Sequence, residues 1–249
     1  MAVAVDASTP IRWTGVWDAN VGGSITSAAF TAPADALLVL CAEVDTRSDS
    51  TNESLRNLSA SDSGSLTWTT RVERRGAETT AGAHSAIFTA RTTSSASRTL
   101  TLTGSNPDDT GDWGSGRASA KCYVCTGVDV DGTPVDTVGA SNEGGSGTNN
   151  LTTSSITPGA NGLLFAADAD WNALGTFEAS DDLTQDTAHY AGGESVCDGY
   201  KAVTSGVGAT ANLDAAGTGT PQHKWCQVIV REAPSAAAPT RPMWPVAAA

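Results

Sequence analysis

The sequence predicts an all-β protein, a jelly-roll-like two-sheet β-sandwich with an internal pseudo-duplication, and three observations lead there. Threonine, serine, glycine and alanine dominate the 249 residues, while the Leu/Glu/Lys/Arg mixture of amphipathic helices is sparse. No window shows helical periodicity. The apolar run ALLVLCAEVD (36–45) returns as GLLFAADADW (162–171), with Leu37 aligned on Leu163.

Each of these runs follows a Thr/Ser-rich segment ending in a proline, Pro33 or Pro158, and each is expected to break into a polar loop. Further short segments recur in the same order. Leu66 and Thr67 of LTWTTRVE match Leu183 and Thr184 of LTQDTAHY, and AIFTARTT (86–93) sits where VCDGYKAVT (196–204) does. TLTLTG (99–104) pairs with TANLDA (210–215), and AKCYVCT (120–126) with KWCQVIV (224–230), placing Cys122 opposite Cys226. Two units instead of many imply a pseudo-symmetric domain and not a solenoid.

Residues 1–23 form an N-terminal segment whose Trp13 and Trp17 look exposed. The sandwich is expected over 24–232, built from halves at 24–128 and 150–232. Two such sets of short strands would bury one another's apolar faces as paired sheets. Within the first half, 46–65 reads as a long polar loop. In LTWTTRVE, Leu66, Trp68, Thr70 and Val72 fall on one face of a half-buried strand, and Leu100 and Leu102 alternate with threonines in the same way. A Gly/Asp-rich loop with Trp113 covers 105–117, and a Gly/Ser/Asn-rich connection covers 127–150. Residues 233–249 carry four prolines and read as an extended arm outside the domain.

The formal charge of −13 argues against gripping nucleic-acid phosphates, which needs clustered Lys and Arg. Acidity of this kind favours solubility and discourages self-association. Five cysteines (41, 122, 125, 197, 226) form an odd set without disulfide-framework spacing, so free buried thiols are expected. MAVAVDAST reaches Asp6 before an apolar region of signal-peptide length develops, and no run approaches a membrane span. Folding in a reducing cytoplasm is the expectation.

The chemistry-bearing residues assemble into no catalytic pattern. No G-x-S-x-G occurs. His84, His189 and His223 lack metal-ligand spacing. Cys122 and Cys125 form a C-x-x-C inside a predicted strand, where an odd separation sends the two side chains to opposite faces, against zinc. DVDG (129–132) begins like a calcium loop but lacks the rest of the pattern. Asp108, Asp109 and Asp112, and Asp181 with Asp182, read as solvated turns. A glycosidase needs two facing carboxylates, and no pair, Asp168 with Asp170 included, is assigned to that role. Trp68 and Trp225 read as core. No enzyme activity, catalytic residue, metal site or cofactor is expected.

Leu66, Thr67 and Trp68, then CTGVD (125–129) with PVD shortly after, then DWN (170–172), follow an order of motifs that resembles a family of β-sandwich proteins in tailed bacteriophages, encoded among minor tail and virion-surface genes. The resemblance runs from about residue 24 to Glu232, and the second unit departs from the first in having Gln185 opposite Trp68. The family has no agreed catalytic residues, and none is carried over. The resemblance implies a virion component at the capsid or tail surface, synthesised and assembled in the host cytoplasm. Its partners would be other virion proteins, copies of itself and host surface glycans, with no nucleic acid and no membrane insertion. The arm contributes the partner-anchoring pair Met243 and Trp244, an apolar couple between Pro242 and Pro245. The alternative is a carbohydrate-binding or carbohydrate-cleaving sandwich with its site in the loops at 105–117 and 168–182.

Overall fold

The computed structural model describes residues 2–17, 23–46, 57–75, 82–105, 116–129, 132–144, 150–170, 174–177, 183–189, 195–216 and 222–234. Every regular element among them is a strand. In the first half these are β1 (Ala4–Val5), β2 (Trp13–Trp17), β3 (Gly23–Thr26), β4 (Phe30–Ala32), β5 (Leu37–Thr46), β6 (Asn57–Asp62), β7 (Thr69–Arg75), β8 (Gly82–Arg91), β9 (Ala96–Arg98), β10 (Leu100–Ser105) and β11 (Gly116–Thr126). The second half contributes β12 (Val135–Gly144), β13 (Asn150–Thr152), β14 (Gly162–Asp170), β15 (Leu174–Phe177), β16 (Thr184–His189), β17 (Ser195–Val203), β18 (Asn212–Ala216) and β19 (Gln222–Arg231).

Among the described residues all strand pairings are antiparallel. One large sheet runs β1-β11-β5-β8-β7, with β2 also on β11, and the other runs β12-β19-β14-β17-β16. Two small sheets, β3-β10-β6 and β13-β18-β15, belong one to each half. The strand orders correspond: β11, β5, β8 and β7 stand where β19, β14, β17 and β16 do, and β2 with β1 stands where β12 does. Even the short β4–β9 pair has a counterpart in the isolated bridge between Ile156 and Ala209. The large sheets pack face to face, β5 on β14, β8 on β19 and β7 on β12.

Alternation along each strand divides the interior. From β5, Leu38, Leu40, Ala42 and Val44 point to the small sheet of their own half and meet Ile25, Leu58, Leu100 and Leu102. Leu37, Val39 and Cys41 point to the other half and meet Leu163, Phe165, Ala167, Val228 and Val230. β5 is therefore apolar on both faces because both faces are covered, which explains why ALLVLC reads as a continuous run. In its partner β14, Gly162 is required by close approach, since a Cβ there would lie 2.0 Å from the Val230 carbonyl oxygen.

Several expectations are corrected. Trp13 is 8 % exposed and belongs to the first core, so the N-terminal segment supplies β1, β2 and a core side chain to the large sheet. The stretch 46–65 is not one loop: Asn57–Asp62 form β6 and pair with β10, while 47–56 lie outside the described residues, and the acidic end of the run at 36–45 stays in β5 with Glu43 fully buried. Pairing places Cys122 on Leu40 and Cys226 on Ala167, so with Leu37 aligned on Leu163 the counterpart of Cys122 is Gln227, on Ala166. Cys122 and Cys226 face different cores, the result of a one-residue slip in a period-2 element.

In LTWTTRVE the register shifts between Thr70 and Val72, and this irregularity parts the single face read from the sequence. Leu66 and Trp68 precede β7 and pack on the outer core, whereas Val72 packs on the inner one. The structural counterpart of Trp68 is Leu183, not Gln185, because Thr69 and Thr184 hold matching positions against Thr89 and Tyr200. Asp62 secures the turn before Leu66. Its buried carboxylate accepts from the Gly64 and Leu66 amides at 2.8 and 2.7 Å, from Trp68 Nε1 at 3.4 Å and from Arg98 Nη1 at 2.9 Å. Burial alone would raise its pKa, but these donors outweigh burial and hold it below the ordinary carboxylate value.

Candidate functional site

The inner faces of the two large sheets are apolar at one end and charged at the other. Passing along β5 from Leu37, Val39 and Cys41, the next residue of the same parity is Glu43; along β11, Cys125 gives way to Tyr123, Lys121 and Ser119. From the facing sheet, β17 contributes Asp198 and Tyr200, and Asp186 of β16 pairs directly with Asp198. Arg12, immediately before β2, extends into the space between.

Its guanidinium is the centre of the cluster. Nη1 donates to Glu43 Oε2 at 3.1 Å and to Ser119 Oγ at 2.5 Å. Nη2 donates to the Asp186 carbonyl oxygen at 3.0 Å and to Asp198 Oδ2, while Nε lies 3.8 Å from Asp186 Oδ1. The other Asp198 oxygen accepts from the Tyr123 hydroxyl. Arg12 thus joins the first half to the second, with side-chain exposures of 7 % for itself and 0 % for both Glu43 and Asp198. Outside the cluster, Lys121 Nζ bonds Asp186 Oδ2 at 3.1 Å.

The protonation states follow from this burial. Desolvation pushes Glu43 well above the ordinary carboxylate range, with Arg12 opposing and Asp198 adding to the shift. Asp198 is raised for the same first reason, opposed by Arg12 and the Tyr123 hydrogen bond. Burial would weaken the Arg12 charge, but Asp198, Glu43 and Asp186 more than restore it and the guanidinium stays cationic. Desolvation, then Asp198, keep the Tyr123 phenol protonated. One cation facing two buried carboxyls is balanced when the pair holds one proton, and Glu43 Oε1, buried with no hydrogen-bond partner, is a place to carry it.

Beside the cluster lies a pocket of about 240 Å³ lined by Val5, Thr9, Lys121, Tyr123, Thr184, Gln185, Asp186 and Tyr200. Tyr123 and Tyr200 form its aromatic floor and pack on the buried Phe165 behind them, with centroids 5.3 to 5.7 Å apart. The pocket therefore combines aromatic surface with an ion pair, an amide and two threonines.

The residues singled out from sequence are placed elsewhere. All five cysteines are buried and unpaired, as expected, and burial raises each thiol above its ordinary pKa. Asp129 is a turn residue: its Oδ1 accepts from the Gly132 amide at 3.1 Å. Asp168 is buried on the face of β14 opposite to the cluster, and Trp225 is core. His84 is buried with Nε2 3.7 Å from Glu73 Oε2. Among the described residues no group of three or more His, Cys, Asp or Glu could hold a metal ion. Asp108, Asp109, Asp112, Asp181, Asp182, Trp113, Met243 and Trp244 lie outside the described residues, as do most of the loops at 105–117 and 168–182 and nearly all of the arm. No protein-family model matches this chain, and no curated protein or solved structure matches it significantly.

Proposed function

We propose that this chain is a structural component of a tailed-phage particle, displayed on the capsid or tail surface, with no catalytic step of its own. The observation that supports this best is the joining of two β-halves into one body. An apolar interface runs from Leu37, Val128 and Val230 to a buried ionic cluster that spends the most chemically capable side chains on holding the halves together. Such a body suits a pedestal or a decoration, which must keep its shape while its neighbours bind its rim. Five buried thiols agree with assembly in a reducing compartment.

In this reading the halves are two copies of one jelly-roll-like plan. The nested pairings β2–β11, β3–β10 and β5–β8 in the first half, and β12–β19, β13–β18 and β14–β17 in the second, favour it. The proline-rich arm carrying Met243 and Trp244 would contact a neighbouring virion protein or a second copy.

Quantitative mass spectrometry of washed phage particles tests the proposal. The chain should be present at a fixed copy number per particle, and deletion of residues 234–249 should reduce incorporation without lowering the melting temperature of the isolated protein. Absence from washed particles would remove the structural reading.

A further inference from the structure

We propose that the pocket between β11 and β16 binds a single neutral sugar ring. The two edges of the interface between the large sheets provide the first step. With Leu37 aligned on Leu163, the strand pairings make Lys121 the counterpart of Cys226, Tyr123 of Val228, Asp198 of Ile87 and Asp186 of Val72. At the second edge these four apolar residues pack as part of the inner core. At these four positions the second edge is closed by apolar side chains, so packing there does not require Lys121, Asp186 or the Tyr123 hydroxyl at the first edge. Their presence there, around a cavity, points to a ligand.

The lining selects the ligand class. Lys121 and Asp186 neutralise one another at 3.1 Å. A charged ligand would have to break that pair, whereas a hydroxyl accepts from the ammonium and donates to the carboxylate without disturbing the charge balance. Adjacent hydroxyls on a pyranose can engage both groups, and Thr9, Thr184 and Gln185 line the rim beside them. The half-buried Tyr200 ring, edge-on to Tyr123 at 5.4 Å, offers an apolar surface for the C–H face of the sugar. The site is held in shape from behind: Arg12 binds the Asp186 carbonyl at 3.0 Å, and Asp198 holds Tyr123. Few convergent polar groups over an aromatic floor, fixed by a buried second layer, are the features of a preformed small-molecule site. This inference does not rest on the particle assignment, and it places the sugar away from the loops at 105–117 and 168–182.

Saturation-transfer NMR on the full chain tests it. The probes are methyl α-D-glucopyranoside, methyl β-D-galactopyranoside, methyl N-acetyl-β-D-glucosaminide and methyl α-L-rhamnopyranoside, with glycine and inorganic phosphate as charged comparators. Transfer to the ring protons of at least one glycoside is expected. Titration of that glycoside should weaken about tenfold or more in Gln185→Ala and in Tyr200→Leu, because each removes a contact that desolvates on binding. Gln185 is exposed on β16, so its variant keeps the wild-type melting temperature and serves as the test if Tyr200→Leu unfolds. No transfer to any glycoside, transfer to the charged comparators alone, or glycoside binding unchanged in Gln185→Ala would each overturn the assignment. A negative particle analysis would leave this titration unaffected, so the two proposals fail separately.

Discussion

At one edge of the interface between the large sheets small side chains let the backbones come close, and at the other long charged side chains span the space between them. On the close side, Ser85 Oγ of β8 donates to the Lys224 carbonyl of β19, and Cys226 Sγ donates back to the Ser85 carbonyl at 3.2 Å. Ala83 and Ala169 pack there with Val196. On the far side, Arg12 reaches from the first half to Asp186 and Asp198 of the second, and Tyr123 and Lys121 span the same space. Glu43, at the centre of the cluster, corresponds to Ala169. The two edges of the interface therefore close in two ways, by close approach of small residues or by a polar wedge. The difference teaches that the wedge is a choice made by sequence at one edge and not a demand of the fold.

The largest expected effect comes from breaking the wedge on one side only. Arg12→Ala leaves Glu43 and Asp198 buried without their cation, and removal of one partner of a buried ion pair typically costs about 3–5 kcal/mol. Urea denaturation should show that loss. A change below about 1 kcal/mol would mean that the cluster is hydrated and contributes as a surface pair does.

A smaller effect of opposite sign is expected when the whole wedge is made to resemble the close edge. The variant Arg12→Met, Glu43→Met, Tyr123→Phe, Asp198→Ile replaces the three buried charged groups of the cluster and the phenol hydroxyl bonded to them with apolar groups, and isoleucine at 198 copies Ile87. Replacing a complete buried ion network by packed apolar residues is often neutral or stabilising by about 1–4 kcal/mol. If this variant were as unstable as Arg12→Ala, the two edges would not be interchangeable and the correspondence drawn from strand pairing would fail.

The strands were legible because burial on two faces or one leaves apolar runs and alternation in the sequence. The repeated run, Leu100 with Leu102, and the buried thiols are where that signal leads. Register was less legible. A slip of one residue exchanges inner for outer face, and neither the irregularity at Thr70/Val72 nor the pairing of Cys122 with Leu40 is marked by residue type. The cluster was half legible. Glu43 shares parity with Val39 and Cys41, and Asp198 shares it with Val196 and Tyr200, so two acids at inward positions could have been noticed. Arg12 carried no such signal: it lies outside any periodic stretch, 31 positions from Glu43 and 186 from Asp198. Only the topology brings these groups together.

The smallest effect, a pH dependence, separates the two edges without altering their packing. Glu43 and Asp198 have raised folded-state pKa values, so between the unfolded values of roughly 3.9–4.3 and the raised folded ones the native state binds more protons than the unfolded state. The stability they contribute is fully present below the unfolded pKa and is lost as pH rises through the folded one. Asp62 works in the opposite sense: its folded pKa is depressed, so its contribution is present above the unfolded value and is lost as pH falls through the folded value. Stability should therefore peak at mildly acidic pH. On the alkaline side of the peak each differentially bound proton contributes a slope of at most about 1.4 kcal/mol per pH unit. Glu43→Gln should flatten that alkaline-side decline and leave the acid limb alone, while Asp62→Asn should flatten the acid limb. Melting temperatures of the two variants measured from pH 3 to pH 9 would show it. An alkaline limb of unchanged slope in Glu43→Gln would mean that the pair carries no shared proton, and that Arg12 faces two fully ionised carboxylates.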